Sequence, residues 1–175
     1  MASLPDIETL TRSSEEEQTE TLDALFEPSP AIHSLILPSI SAASFQSYDE
    51  LITHCHKTFQ ALIDDPAHKA KLHSIIGSHP RLGAKKVESA QSAAEQAQLQ
   101  SGDATELAAL NAEYEAKFPG LRYVVFVNGR GRPEIMANMR QRISRGDLAL
   151  EERAAVQAMC DIARDRAAKL QAISR

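Results

Sequence analysis

Apolar positions recur at spacings of three and four along most of the chain, broken by short clusters of Ser, Asp, Pro and Gly, and this pattern predicts helices. Ser13 and Ser14 each precede a glutamate by three residues (Glu16 and Glu17), the signature of a capping box. Leu22, Leu25 and Phe26 then supply an apolar stripe. Pro28-Ser29-Pro30 ends that helix and opens the next, with Ser29 as cap and Pro30 in the first turn. Ser47 with Glu50 starts another, whose Tyr48, Leu51, Ile52, Cys55, Phe59, Leu62 and Ile63 keep the 3.6-residue period. Asp65-Pro66 opens a helix carrying Leu72, Ile75 and Ile76, and Gly77 stops it.

A polar loop, Ser78 to Lys86, precedes an alanine-rich helix from about Glu88 to Leu99. Asp103 with Glu106 starts a helix bearing Leu107, Leu110, Tyr114 and Phe118, closed by Pro119-Gly120. Tyr123 to Val127 is apolar and β-branched, of strand length but without a strand partner elsewhere, so it reads as a buried extended segment. Pro133 opens a helix with Ile135, Met136, Met139 and Ile143, ended by Gly146, and Asp147 caps the last and longest one. The pattern predicts an all-α, single-domain bundle of about eight helices with one short buried extended segment, its core running from about residue 13 to 173.

Composition narrows the function. The chain has 175 residues, enough for one domain with a core that needs no staples. A net charge of -5 argues against a nucleic-acid partner, since phosphate binding wants a basic face. The basic stretch Arg130 to Arg145 is cut by apolar residues at helical spacing and reads as a solvated helix face. Two cysteines, Cys55 and Cys160, suit a reducing compartment better than a disulfide scaffold. No apolar run approaches the roughly 20 residues of a membrane span. Met1 to Leu10 has no secretory pattern and Ile173-Ser174-Arg175 is not a peroxisomal S-K-L address, so the expected location is intracellular, in cytoplasm or peroxisome.

Three places carry candidate chemistry. His79 precedes Pro80, which restricts it to extended geometry, so its ring leaves a loop. It is either an ordinary exposed histidine or a rigidly held one suited to proton transfer near neutral pH. Ser92, Glu95 and Gln96 share a helix face, either solvated or a polar patch that a second helix approaches closely over the neighbouring alanines. Arg166 sits inside the apolar stripe Ala155, Met159, Ile162, Ile173. It either snorkels to the rim or aims a guanidinium at an anionic or carbonyl-rich ligand. A metal site is not expected: His54-Cys55-His56 splays its rings apart, and neither H-E-x-x-H nor C-x-x-C occurs.

Together these residues resemble the OHCU decarboxylase family, whose substrate is 2-oxo-4-hydroxy-4-carboxy-5-ureidoimidazoline (OHCU). The likeness rests on Phe26-Glu27-Pro28-Ser29-Pro30, on His79-Pro80-Arg81-Leu82-Gly83, and on Ser92 to Gln96. It continues through Leu110-Asn111, Tyr114 and Lys117-Phe118, through Phe126-Val127-Asn128-Gly129-Arg130, and through Ile162-Ala163-Arg164-Asp165-Arg166. These run in the family's order across residues 26 to 170. Departures are Arg81 where the family often has an acidic residue, Ala31 where an aromatic is common, and Phe118-Pro119-Gly120-Leu121-Arg122-Tyr123 in place of a Phe-Gly-Phe-Pro-Phe turn. They bear on rim shape and substrate tolerance.

The resemblance implies an all-α homodimer that decarboxylates OHCU to (S)-allantoin and carbon dioxide without a cofactor. It implies His79 as the proton-handling group, Glu95 holding ureido or ring N–H groups with Ser92 and Gln96 helping, and Arg166 binding a carbonyl or carboxylate oxygen. Pro80 and main-chain groups at Val127, Asn128 and Gly129 complete the expected pocket. Two other readings stand beside it: a non-catalytic helical binding module of the same fold, and a lyase or hydrolase acting on a related small ring. A pseudoenzyme should have lost one of His79, Glu95 and Arg166, and all are present.

Overall fold

Capping chemistry sets most of the helix starts. In the computed structural model, which describes residues 3–84, 89–99 and 102–172, Ser14 closes a reciprocal capping box with Glu17 and begins α2 (Glu15–Phe26), after a short α1 (Ile7–Leu10). Ser13 does not cap; its hydroxyl donates to the Thr9 carbonyl. Ser29 caps α3 (Pro30–Ala42) and Ser47 caps α4 (Tyr48–Ile63). The Glu50 carboxylate accepts from the Gln46 N–H, one residue before the cap, so that box is not reciprocal. Asp65 caps a 3-10 turn, Pro66–His68, which leads into α5 (Lys69–Ile76).

The later elements are α6 (Ala90–Gln96), α7 (Ala104–Lys117), α8 (Arg132–Arg145) and α9 (Leu148–Ala172). The helix expected from about Glu88 is capped by Ser89 and ends in a 3-10 turn, Ala97–Leu99; Glu88 itself lies outside the described residues. Gly146 ends α8 in the left-handed conformation, φ 63°, and a Cβ there would stand 2.9 Å from Lys117 Cε. Residues 121–127 run extended between α7 and α8, with Leu121, Tyr123, Val124 and Val127 buried, and no strand occurs among the described residues.

The long helix α9 is the spine: α4 and α2 lie along it, α5 touches it, and α3 covers α2 and α5. Its buried Ala155, Val156, Met159, Ile162 and Ala163 face a core filled by Leu22, Leu25, Phe26, Leu51, Ile52, Cys55 and Phe59. Burial of such side chains stabilises by about 1.5–3 kcal/mol each. Phe26 and Phe59 meet edge to face at 5.6 Å. Cys55 and Cys160 are free thiols in this core.

Two carboxylates at the start of α9 are fully buried and paired. Glu151 accepts from Tyr114 Oη at 2.6 Å and from Arg142 Nε at 2.6 Å. Glu152 accepts from Lys69 Nζ and lies 3.2 Å from His73 Nε2. Arg142 therefore departs from the solvated face expected of residues 130 to 145. It is 7% exposed, its Nη1 holds the Val124 carbonyl at 3.0 Å, and its guanidinium lies 4.7 Å over the Tyr123 ring. Sequence spacing placed it between apolar positions, but its partner, Glu151, comes from the next helix. Arg140, on the same helix, does remain half-exposed, paired with Glu106.

Candidate active site

Four segments converge on a cavity of about 200 Å³. The loop after α5 gives His79, Pro80 and Leu82; α6 gives Ser92, Ala94, Glu95 and Gln96. The extended segment and the turn after it give Tyr123 through Gly129, and α9 closes the space with Ile162, Asp165 and Lys169. The volume suits a molecule smaller than a drug-sized ligand. At its rim the backbone turns over through two left-handed residues, Asn128 (φ 48°) and Gly129 (φ 73°). Arg130 braces that turn by donating to the carbonyls of Val127 (3.2 Å) and Phe126 (2.5 Å).

The His79 loop is pinned from three sides. Asn111 Nδ2 donates to the Leu82 carbonyl at 2.8 Å, and the Gly83 N–H donates to Gln96 Oε1 at 2.8 Å. Gly83 has φ 73°, and a Cβ would strike the Leu107 side chain at 2.5 Å, so glycine is required there. Arg81 forms a fork with Glu115 on the outside, at 2.7 and 2.9 Å. Arg122 holds the loop's beginning through the carbonyls of Gly77 and His79.

Behind the α6 wall lies a buried ionic cluster. Arg166 is 2% exposed. Its Nε and Nη2 donate to the two Glu95 oxygens at 2.8 and 3.0 Å, and Nη2 also reaches Ser92 Oγ (2.9 Å) and Glu27 Oε1 (2.8 Å). Ser92 Oγ donates to the same Glu27 oxygen. Nη1 donates to the Ala24 carbonyl at 3.4 Å. These bonds raise the guanidinium's proton affinity against the desolvation that would lower it. The cluster holds two carboxylates against one guanidinium.

Glu27 is itself strained. It sits just past α2 at φ 73°, ψ 154°, a region otherwise reserved for glycine, at a cost on the order of 1–3 kcal/mol. The chain tolerates this because the carboxylate is paired in the interior, 4% exposed.

His79 lies in the cavity wall, 4% exposed, and its Nε2 has no hydrogen-bond partner among the described residues. Burial pushes its pKa down to about 4, with Arg166 and Arg122 adding to the effect and Glu27 opposing it. The imidazole is therefore neutral at pH 7, with one ring nitrogen free to accept a proton or a hydrogen bond.

A loop histidine held neutral beside a charged cluster, in the wall of a small cavity, can accept or pass on a proton. The family model for OHCU decarboxylase matches residues 11–168. The chain belongs to the OHCU decarboxylase family. Its reaction is the decarboxylation of OHCU in urate degradation, and the enzyme is a carboxy-lyase. Among curated proteins no match is found.

The OHCU decarboxylase fold brings His79, Pro80, Ser92, Glu95, Gln96, Val127, Asn128 and Gly129 to one cavity. Arg166 does not line that cavity; it backs the wall, against Ser92 and Glu95, and borders a neighbouring hollow with Ala94 and Leu170. Gln96 already uses its carbonyl oxygen on Gly83. Glu27 was missing from the expected site residues, although it stands in the Phe26-to-Pro30 motif; an acidic residue between a helix end and Pro28 was the available signal. Asp165 and Lys169 at the mouth, 2.6 Å apart, were also not anticipated. Among the described residues no group of three or more His, Cys, Asp or Glu could hold a metal ion, and no helix is long and apolar enough to cross a membrane.

Proposed function

We propose that OHCU is decarboxylated to (S)-allantoin in the cavity beside His79, with His79, Glu95 and Arg166 as the residues that carry the reaction. The observation behind this reading is the unpartnered Nε2 of a buried neutral histidine, set beside a cluster with more negative than positive charge. The bond from the substrate's ring carbon to its carboxylate breaks. The electron pair turns the single bond to the ureido-bearing ring carbon into a double bond, giving an enol, and the adjacent ring C=N pair moves onto nitrogen, which takes a proton. No electrons leave the substrate, so the chemistry needs no redox group. The enol then loses its hydroxyl proton and gains one at the ureido-bearing carbon. Two protons arrive and one departs, so one proton is taken up from solvent.

Neutral His79 is suited to accept the hydroxyl proton and relay it. The α6 carboxylate, Glu95, is suited to the ureido or ring N–H groups, with Ser92 and Gln96 beside it. Arg166 keeps Glu95 in place and offsets charge as the enol develops. It is shared between two carboxylates, so it does not neutralise the substrate carboxylate strongly in the ground state, and loss of that charge as carbon dioxide is favoured. Pro80 and the Val127–Gly129 turn would shape the pocket so that one face of the ring is shielded. The working form is proposed to be a homodimer in an intracellular compartment.

The test supplies freshly generated OHCU and follows the optical activity of the allantoin formed. A single enantiomer from the wild-type protein, with His79→Asn folded and inactive, supports the reading. Racemic product at the uncatalysed rate, or full turnover by folded His79→Asn, sinks it.

A further inference from the structure

The His79–Pro80 peptide bond has no N–H, because proline supplies none. Only its carbonyl oxygen offers a handle by which the protein can fix that peptide plane. Arg122 takes it: Nη1 donates to the His79 carbonyl at 2.8 Å and to the Gly77 carbonyl at 3.0 Å. Gly77 is the C-cap of α5, where the helix dipole presents its negative end to a cation. Downstream, the loop is tied to α6 and α7 through Gly83 and Leu82. Upstream, Ser78 Oγ binds back to the Ile75 carbonyl at 2.6 Å. Between these ties, Arg122 reaches the histidine's own carbonyl from another element, the extended segment that follows α7.

We propose that Arg122 is a positioning residue for the reaction, aiming the His79 imidazole by clamping the carbonyls on either side of Ser78. It stands in the segment Phe118 to Tyr123, between α7 and α8 and 43 residues from the histidine it holds. The cation also bears on the histidine's charge state. Arg166 and Arg122 oppose protonation of the ring, Glu27 favours it, and Glu95, Asp165 and Lys169 line the same cavity. The inference rests on the proton-handling role of His79.

Arg122→Ala is expected to lower kcat by about tenfold to 100-fold, as a misaimed catalytic group does, with a smaller change in KM. In the same variant the imidazole resonances of His79 should titrate at higher pH than in the wild type. Arg122→Lys, which keeps the cation, should leave that titration near wild type and recover part of kcat. If Arg122→Ala does not fold, Arg122→Gln replaces it with the same expectations, since a shorter neutral amide cannot span both carbonyls. Unchanged kcat and unchanged His79 titration, even with a lower melting temperature, overturn the proposal and reduce Arg122 to a cap of α5. His79→Asn, assayed in parallel, separates the two claims. If it is active, the role of His79 falls and this inference with it. If it is inactive while Arg122→Ala is fully active, only this inference falls.

Discussion

Arg166 grips Glu95 with both arms of its fork, Nε to one oxygen at 2.8 Å and Nη2 to the other at 3.0 Å, across 71 residues of sequence. The contact joins the last helix to α6, the shortest of the helices that wall the cavity. A planar guanidinium fixes a carboxylate plane as a single ammonium does not. The orientation of Glu95 in the cavity wall is thus a property of α9.

Arg166→Lys should keep the charge and lose much of the turnover, and Arg166→Ala should lose more. Removing one partner of a buried ion pair costs about 3–5 kcal/mol, so Arg166→Ala should also melt lower. Arg164 lies two residues away, partly exposed, paired with Asp49 at 2.7 Å. Its loss should cost at most about 1 kcal/mol and leave kcat near wild type. Equal losses of turnover in Arg164→Ala and Arg166→Ala would mean that only the general field of α9 matters.

Glu27 offers a test of why a strained residue persists. Glu27→Gly relieves the left-handed backbone but deletes a carboxylate that Ser92 and Arg166 both use. Glu27→Gln keeps the shape and removes the charge. Both variants should lose activity, on the order of tenfold or more, the scale on which electrostatic groups of active sites act. If Glu27→Gly proves both more stable and fully active, the strain has no bearing on catalysis.

The pH dependence of stability follows from His79. The folded pKa, about 4, lies below the ordinary 6.5, so between these values the unfolded chain binds the extra proton. Stability should rise with pH across that window and be lost as pH falls from 6.5 toward 4. The full difference corresponds to roughly 3 kcal/mol, at about 1.4 kcal/mol per tenfold change in proton affinity. Denaturant titrations of wild type and His79→Asn at several pH values check this. The variant's curve should be flatter between pH 4 and 6.5, and parallel curves would contradict it.

Helix boundaries were legible because caps act locally: Ser14, Ser29, Asp103 and Asp147 do in the structure what their neighbours in sequence predict. The candidate site was expected only through resemblance to a family. Periodicity places Ser92, Glu95 and Gln96 on one face, but a solvated face has the same spacing as a buried one. What decides between them is α9 arriving with Arg166, a contact between distant segments. The burial of Arg142 escaped for the same reason, since nothing within α8 announces that Glu151 will lie beneath it. The left-handed backbone of Glu27 left no local trace either, because glycine is the residue that normally marks it.

Glu151 tests how far this second buried cluster supports the cavity. Its carboxylate, fully buried, accepts from Tyr114 Oη and Arg142 Nε, and Arg142 in turn holds the Val124 carbonyl in the cavity wall. Glu151→Ala leaves a guanidinium and a hydroxyl buried without their acceptor, so stability should fall by about 3–5 kcal/mol. Glu151→Gln keeps one acceptor oxygen and should fall by less. Glu151→Leu combined with Arg142→Met removes both charges, and with them the desolvation that the pair must overcome. That double variant should recover part of the stability lost by Glu151→Ala. Its turnover should still be reduced, because nothing then holds the Val124 carbonyl. Denaturation midpoints for the three variants, with kcat measured well below each melting temperature, separate the two effects. A double variant less stable than Glu151→Ala would show that the ion pair is a net source of stability here, and wild-type turnover in it would show that the Val124 contact does not shape the site.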